Sequence, residues 1–276
     1  MMLRTLLFLY FFLLSTSIFS KEIPVIVISA GKTPQSKSTV GSDVEVIDSK
    51  TLQNSNEFFI GDILDNNLNG MNYNQSGGYG TVSGIQLRGQ PKRYTTVYID
   101  GVKVSDPSTP SNDYYFNNLM SGSFDRVEVL KGAQSSLYGS GALAGTVQLF
   151  SKKGRKGHNQ DLNVSTGSFN TQKIDLNFDG KNNNYDYFVG FTNFSNEGES
   201  AMRDNPEEKD GYRSDSLTMN YGYNFNENFR IENYLYHSDS FLEYDAVNKL
   251  RTDSNDVTDD QSTSYTGRLI YDIGNL

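Results

Sequence analysis

Residues 217–225 read Leu217-Thr218-Met219-Asn220-Tyr221-Gly222-Tyr223-Asn224-Phe225. Every second residue is apolar or aromatic, and every residue between is small or polar. A period of two is the repeat of a β-strand with one face toward an apolar medium and the other toward water or polar groups. About nine to eleven such residues cross a bilayer when the strand is tilted.

The pattern spreads outward from this stretch. Leu162, Val164 and Thr166 alternate with polar neighbours, as do Ile174, Leu176 and Phe178. Tyr185, Tyr187, Val189 and Phe191 share a face opposite Asp186, Gly190 and Thr192. Phe229, Ile231 and Leu235 continue it with Asn233 interrupting, and Leu269 and Tyr271 give a weaker last strand. The connections alternate in length. Residues 179–184 and 224–228 read as short turns, whereas 197–212 and 243–262 read as long polar loops. That is the texture of a transmembrane barrel wall, with short turns at one end and long loops at the other. A soluble β-sandwich also alternates, so the strands alone leave both open. The reading counts about six strands, where a barrel wide enough to hold an internal domain has about 22. Unpaired backbone in lipid costs several kcal/mol per group. The expectation is therefore a fragment: the first strands of a larger antiparallel barrel.

Composition narrows the class. Mean hydropathy is −0.55, which a hydropathy window would read as soluble but which barrel strands also give. Tyr 18 and Phe 17 against Trp 0 suit interfacial aromatic girdles as well as an ordinary β core. With 0 Cys, no disulfide framework holds the fold, and with 2 His a tetrahedral zinc site is disfavoured. A net charge of −9 offers no basic stripe for phosphates, so nucleic acid is excluded as a partner. At the start, Arg4, the apolar run 6–14 and the small polar residues 15–20 have the order of a secretory signal peptide, with cleavage expected near Ser20.

Between leader and wall the texture is mixed. Residues 21–42 read as a flexible, extended segment with one strand-like patch from Ile23 to Ala30. A strand is expected around Val44–Ile47 and a helix over 58–68, stopped by Asn69-Gly70. Thr95 to Ile99 closes on Asp100-Gly101, a strong hairpin signal. Arg126–Leu130 and Gly145–Phe150 are further strands, and the basic stretch 152–157 leads into the wall. Gly77, Gly78 and Gly80 are not a phosphate loop, because no Lys-Ser/Thr follows. No Ser/His/Asp constellation is visible, so catalysis has no support and the reading is not an enzyme.

Two motifs go further: Ile99-Asp100-Gly101-Val102, and Arg126-Val127-Glu128-Val129-Leu130-Lys131-Gly132-Ala133-Gln134-Ser135-Ser136-Leu137-Tyr138-Gly139-Ser140-Gly141-Ala142-Leu143-Ala144-Gly145-Thr146-Val147. Over 22–155 the chain resembles the TonB-dependent outer-membrane receptor family, whose plug domains carry a similar strand, an Arg/Lys-Gly turn and a Tyr-Gly-x-x-Ala-x-x-Gly run. The resemblance implies a mainly β chain: an α+β plug over 43–155, then the opening strands, 156–276, of a 22-stranded barrel in the outer membrane, bathed in its lipid. It also implies a TonB energy transducer as partner, with Ile23, Pro24, Val25, Ile26, Val27 and Ile28 as the strand lent to it by β-augmentation.

Within the family, Gly77 to Asn118 looks most like the cobalamin receptors, which points to cobalamin as ligand, with a ferric siderophore or haem as the alternative iron-chelate class and a passive channel as the alternative outside it. By the same resemblance, the apical candidates for ligand contact are Tyr73, Gln75, Tyr79, Asp106, Asn112 and Tyr114. Cobalamin receptors bind Ca²⁺ through acidic loops, and Asp204, Glu208, Asp210 and Asp245 are the corresponding candidates. Glu208 stands where the pattern expects Asp. No other cofactor is implied.

Overall fold

The computed structural model describes residues 25–105, 113–200, 208–245 and 256–272. The leader, Ile23, Pro24, Asp106, Asn112 and Asp204 lie outside the described residues. A short antiparallel pair opens the chain, β1 (Ile26–Val27) with β2 (Gln35–Ser36). The plug follows as β3 (Asp43–Ile47), α1 (Ser49–Asn54), α2 (Ile60–Asn67), β4 (Met71–Gln75), β5 (Ser83–Leu87), β6 (Thr95–Ile99), β7 (Val102–Val104), β8 (Phe124–Lys131), α3 (Ser135–Tyr138) and β9 (Gly145–Ser151). Its main sheet has the order β3-β8-β9-β6-β7, with β6 and β9 parallel and the other pairs antiparallel; β4 and β5 form a separate hairpin.

Local chemistry explains these elements. Asp48 caps α1 by accepting from Thr51 N–H at 2.9 Å. Ile60, Ile63 and Leu64 lie on one face of α2 and are fully buried against Leu87, Val127, Val147 and Leu149 of the sheets. Each such side chain contributes about 1.5–3 kcal/mol by leaving water. The helix stops before Gly70, whose φ is +65°. The hairpin expected at Asp100-Gly101 is present, both residues having positive φ (48° and 84°), as a two-residue primed turn requires. The structure adds α1 and β4, which the alternation did not predict. Within the opening segment Val27 is fully buried and packs with Val44, Leu130, Tyr138 and Ala142.

The wall is a single antiparallel sheet of β10 (Gly157–Gly167), β11 (Thr171–Lys181), β12 (Tyr185–Asn196), β13 (Tyr212–Asn224), β14 (Phe229–Tyr244) and β15 (Asp256–Tyr271), paired in sequence order and not closed. Leu162, Val164, Ile174, Leu176, Phe178, Phe191, Met219, Tyr265 and Leu269 are exposed on its outer face. Thr171, Lys173, Asp175, Asn177 and Asp179 are buried on the inner face, against the plug. No helix among the described residues is long and apolar enough to cross a membrane. The turns are tighter than the sequence suggested, since Asp179 and Gly180 still pair within β11 and β12. The second long loop is also shorter. Residues 256–262 pair with β14 up to Tyr244↔Asp256, so β14 and β15 run 16 residues each. That exceeds the roughly 9–11 residues needed to cross lipid. On the β15 side the excess, Asp256-Val257-Thr258-Asp259-Asp260-Gln261-Ser262, is polar on both faces but for Val257, so it shows no alternation.

One glycine is fixed by contact rather than by turn geometry alone. A Cβ on Gly145 would lie 2.1 Å from the Leu130 carbonyl oxygen across the β8–β9 ladder, whereas one on Gly70 would meet nothing within 4 Å. Gly145→Ala should therefore lower stability by roughly 3 kcal/mol or more, and Gly70→Ala by only about 1 kcal/mol for its positive φ. Denaturant unfolding of the protein in detergent reads the difference; equal losses would contradict it.

Candidate functional site

At the end of the wall that carries the long connections, the plug meets β12 and β13 through an aromatic cluster. Phe59 and Tyr79 of the plug stand 5.2 Å, centroid to centroid, from the ring of Phe194 on β12, and Phe58 stands 5.5 Å from it. Tyr212, at the start of β13, completes the cluster at 5.9 Å from Phe194. Gly80 makes this approach possible: its φ is +80°, and a Cβ there would fall 2.1 Å from the Tyr212 ring. The 3-10 turn Phe116–Asn118 then ties plug to wall. Tyr212 Oη donates to Asn118 Oδ1 at 2.7 Å and Tyr236 Oη to the Asn118 carbonyl at 3.1 Å, while Asn118 Nδ2 donates to Asp260 at 2.5 Å.

Three of the ligand candidates gather beside this cluster on the β4–β5 hairpin. Tyr73 Oη donates to Gln75 Oε1 at 3.3 Å, and Gln75 Nε2 donates to the Gly78 carbonyl at 2.5 Å. Gly61 on α2 makes room for the Tyr73 ring, which a Cβ would meet at 2.4 Å. Burial pushes the Tyr73 phenol up to about 12, and burial also raises that of Tyr79. Both phenols stay neutral donors. Tyr114 is placed differently: its ring packs edge-on to Phe116 at 5.3 Å, and burial raises its phenol well above the ordinary value. It is half-buried and packs against the edge of the plug core. Asp62, on α2, is half-buried with its carboxyl pushed up to about 6, first by burial and then by the charge of Glu57.

The acidic loop candidates also converge. Glu208, Asp210 and Asp245 each bring a carboxylate oxygen within 4.8 Å of the other two, on the two long connections flanking β13 and β14. Hard oxygen donors from separate loops are the donor type that a hard divalent cation takes. Gly211 N–H donates to Glu243 Oε2 at 3.3 Å, holding the two connections together next to Tyr212.

Of the transducer candidates, Val25 and Ile26 are exposed, whereas Val27 and Ile28 are held on the plug. Ile28 N–H donates to Glu128 Oε2 at 2.9 Å and Ser29 N–H to the same atom at 2.8 Å.

Sequence reading missed Phe194, Tyr212 and Tyr236 as plug contacts. The signal was present, because each stands in phase with the polar face of its strand.

Comparison with known proteins agrees with this architecture. Residues 36–146 match the TonB-dependent receptor plug domain. The chain thus carries a TonB-dependent receptor plug domain. The vitamin B12 transporter BtuB of Vibrio cholerae is 24% identical over 212 residues, covering 75% of this chain and 34% of the relative. BtuB of Vibrio vulnificus is 25% identical over 255 residues, 88% of this chain and 39% of the relative. The chain thus spans little more than a third of these relatives' length. Among solved structures, the siderophore receptor PiuA from Acinetobacter baumannii aligns over 81% of this chain and 30% of its own (TM-score 0.63, 19% identity). The ferripyoverdine receptor of the outer membrane of Pseudomonas aeruginosa aligns over 80% and 28% (TM-score 0.66, 16% identity). These likenesses show the fold, a plug with barrel strands, which in the ferripyoverdine receptor belongs to the outer membrane. The relatives are transporters and receptors.

The raised carboxyl of Asp62 has a defined consequence for pH. Its folded pKa, about 6, lies above the ordinary 3.8, so the fold favours the protonated acid. This contribution is complete below the ordinary pKa and is lost as pH rises through about 6. Asp62→Asn should match the wild type near pH 4 and be more stable than it above about pH 7. Thermal unfolding across that range checks the sign; a variant less stable at high pH would refute it.

Proposed function

We propose that the protein acts in energy-coupled uptake of a large, scarce ligand, with cobalamin first and a ferric siderophore second, powered through a TonB transducer. The observation that carries this reading is the folded plug seated on the polar inner face of the wall, with a short strand-forming segment ahead of it. A passive channel needs an open lumen, and an inner face occupied by a folded domain argues against it. The cobalamin preference rests on the BtuB relatives, and the siderophore alternative on the structural neighbours. Tyr73, Gln75 and Tyr79, neutral donors and acceptors beside an aromatic cluster, suit contact with a large amphipathic ligand.

Deleting residues 23–30 from the full-length receptor should reduce uptake of labelled ligand to background while surface binding stays within about two-fold, since β-augmentation acts through the lent strand. Unchanged uptake would remove energy coupling from the reading. Binding assays with cobalamin and with iron chelates, run side by side on the same receptor, decide the ligand.

We infer also that Glu208, Asp210 and Asp245 hold Ca²⁺ with their carboxylates, bridging the two long loops. Millimolar Ca²⁺ should raise the melting temperature of the full-length receptor by several degrees, by linkage to the folded state. Asp210→Asn with Asp245→Asn should abolish the rise. If Ca²⁺ produces no shift in the wild type, the site is not a calcium site.

A further inference from the structure

The outer face of β13 carries a cation beyond the end of the apolar band. Exposure alternates along this strand, so Arg213 shares a face with Asp215, Leu217, Met219 and Tyr221. Register sets Arg213 between Ser195 on β12 and Phe241 on β14, on one outward row. Its guanidinium carbon lies 4.5 Å from the Phe241 ring centroid. Among the described residues no carboxylate pairs with it. Lys209 pairs with Glu197, which also accepts from Asn170 Nδ2 at 2.8 Å, and Glu243 accepts from Gly211 N–H at 3.3 Å. Asp215 and Asp239, one row nearer the band, accept from Asn193 at 2.8 Å and Gln261 at 2.7 Å, and Asp259 lies on the far side of Phe241. A cavity of about 310 Å³ opens at this rim, lined by Asn170, Ser195, Lys209, Arg213, Phe241 and Glu243. Each of β12, β13 and β14 has a paired strand on both sides, so no sheet edge lies within this surface.

A strained aromatic residue stands beside the cavity. Phe169, in the β10–β11 turn, is half-exposed and held at φ +57°, a conformation costly for a bulky side chain. Its carbonyl accepts from Glu197 N–H at 3.0 Å, which fixes the turn to the cavity's edge.

We propose that Arg213, seated on Phe241, binds the phosphate of an anionic lipid in the leaflet at the long-loop end of the wall. The proposal rests on the reading of the wall as a membrane barrel. A guanidinium held against a ring by cation–π attraction keeps its N–H edge free, and that planar fork matches two phosphate oxygens. The level fits as well. Arg213 is four residues beyond Leu217, about 13 Å along the strand and about 10 Å along the membrane normal at the usual barrel tilt. That is the polar layer outside the hydrocarbon. The Asp215–Asp239 row repels a phosphate from any deeper position. The exposed ring of Phe169 favours a lipid over a free anion, because aromatic residues settle at the membrane interface.

The test is native mass spectrometry of the full-length protein, extracted in detergent and offered phosphatidic acid or phosphatidylcholine. The wild type should retain phosphatidic acid about ten-fold more tightly or better. Arg213→Gln removes charge and fork and should erase about ten-fold of that preference, with Arg213→Lys, which keeps the charge alone, in between. Equal retention of the two lipids by the wild type, or a preference that survives in Arg213→Gln, would overturn the proposal. Inorganic phosphate displacing the lipid at equal concentration would also overturn it, since the site would then be one for a free anion. Membrane fractionation tests the barrel reading separately. Protein recovered in the membrane without a lipid preference loses the site and keeps the barrel, whereas protein absent from the membrane loses both.

Discussion

Asp175 points inward from the wall, 2.9 Å from Lys173 Nζ and 2.7 Å from Thr192 Oγ1, all three buried. A layer of such groups is the constraint to which the rest of the structure answers. A barrel strand that meets lipid on one side must turn a polar face the other way. Polar groups taken out of water cost free energy unless each finds a partner. Neighbouring wall residues supply some of those partners and the plug others, as where Asn220 Nδ2 donates to the Lys152 carbonyl at 2.5 Å. Gly122 brings its backbone so close to Asp175 that a Cβ would lie 2.2 Å from the carboxylate, and Lys152 Nζ donates to the Gly122 carbonyl at 2.7 Å. Arg155, at the junction of plug and wall, meets Asp179 at 2.6 Å and Asp161 at 2.5 Å.

The outer face obeys the opposite rule and explains the lengths of the strands. Its exposed Leu, Val, Ile, Phe and Tyr residues form a band, and polar outer residues pair with one another where the band gives out. Asn193 donates to Asp215 at 2.8 Å and Gln261 to Asp239 at 2.7 Å on neighbouring strands. Beyond that level β14 and β15 continue as a hairpin that no longer has to satisfy lipid. The same hairpin brings Asp260 to Asn118, so the excess length positions the plug as well.

What could be read from the sequence was whatever repeats at short range. The wall was legible because one residue predicts the next but one, and the Asp100-Gly101 turn because its positive φ angles demand those residue types. Strand β4 was not, since Met71-Asn72-Tyr73-Asn74-Gln75 offers no clean apolar face. Residues 256–262 read as loop for the same reason. Among the candidate site residues, Tyr73, Gln75 and Tyr79 are neighbours in sequence and so were found together. The docking of Ile28 on Glu128 joins residues 100 apart and leaves no local trace. The aromatics on the polar face of the wall are the intermediate case. Phe194, Tyr212, Tyr234 and Tyr236 break the alternation, and a break toward the lumen means a packed partner there.

The distribution of apolar and polar contact between plug and wall also bears on how the two are held. Had the seam been apolar throughout, the plug would be joined to the wall as tightly as the two sides of its own core. Instead the aromatic contact is gathered around Phe59, Tyr79, Phe194 and Tyr212, with Tyr236 against Phe124 beside it, and most of the rest is hydrogen bonds and ion pairs. A hydrogen bond exchanged for water changes stability by only about 0.5–1.5 kcal/mol, far less than its strength in isolation. A polar seam is therefore one that water can enter bond by bond, whereas the aromatic cluster must part as a unit. The end of the plug bearing Tyr79 and Gly80 is thus its fixed point on the wall. The stretch running from Gly122 through Lys152 to Arg155 is the part whose contacts water can replace.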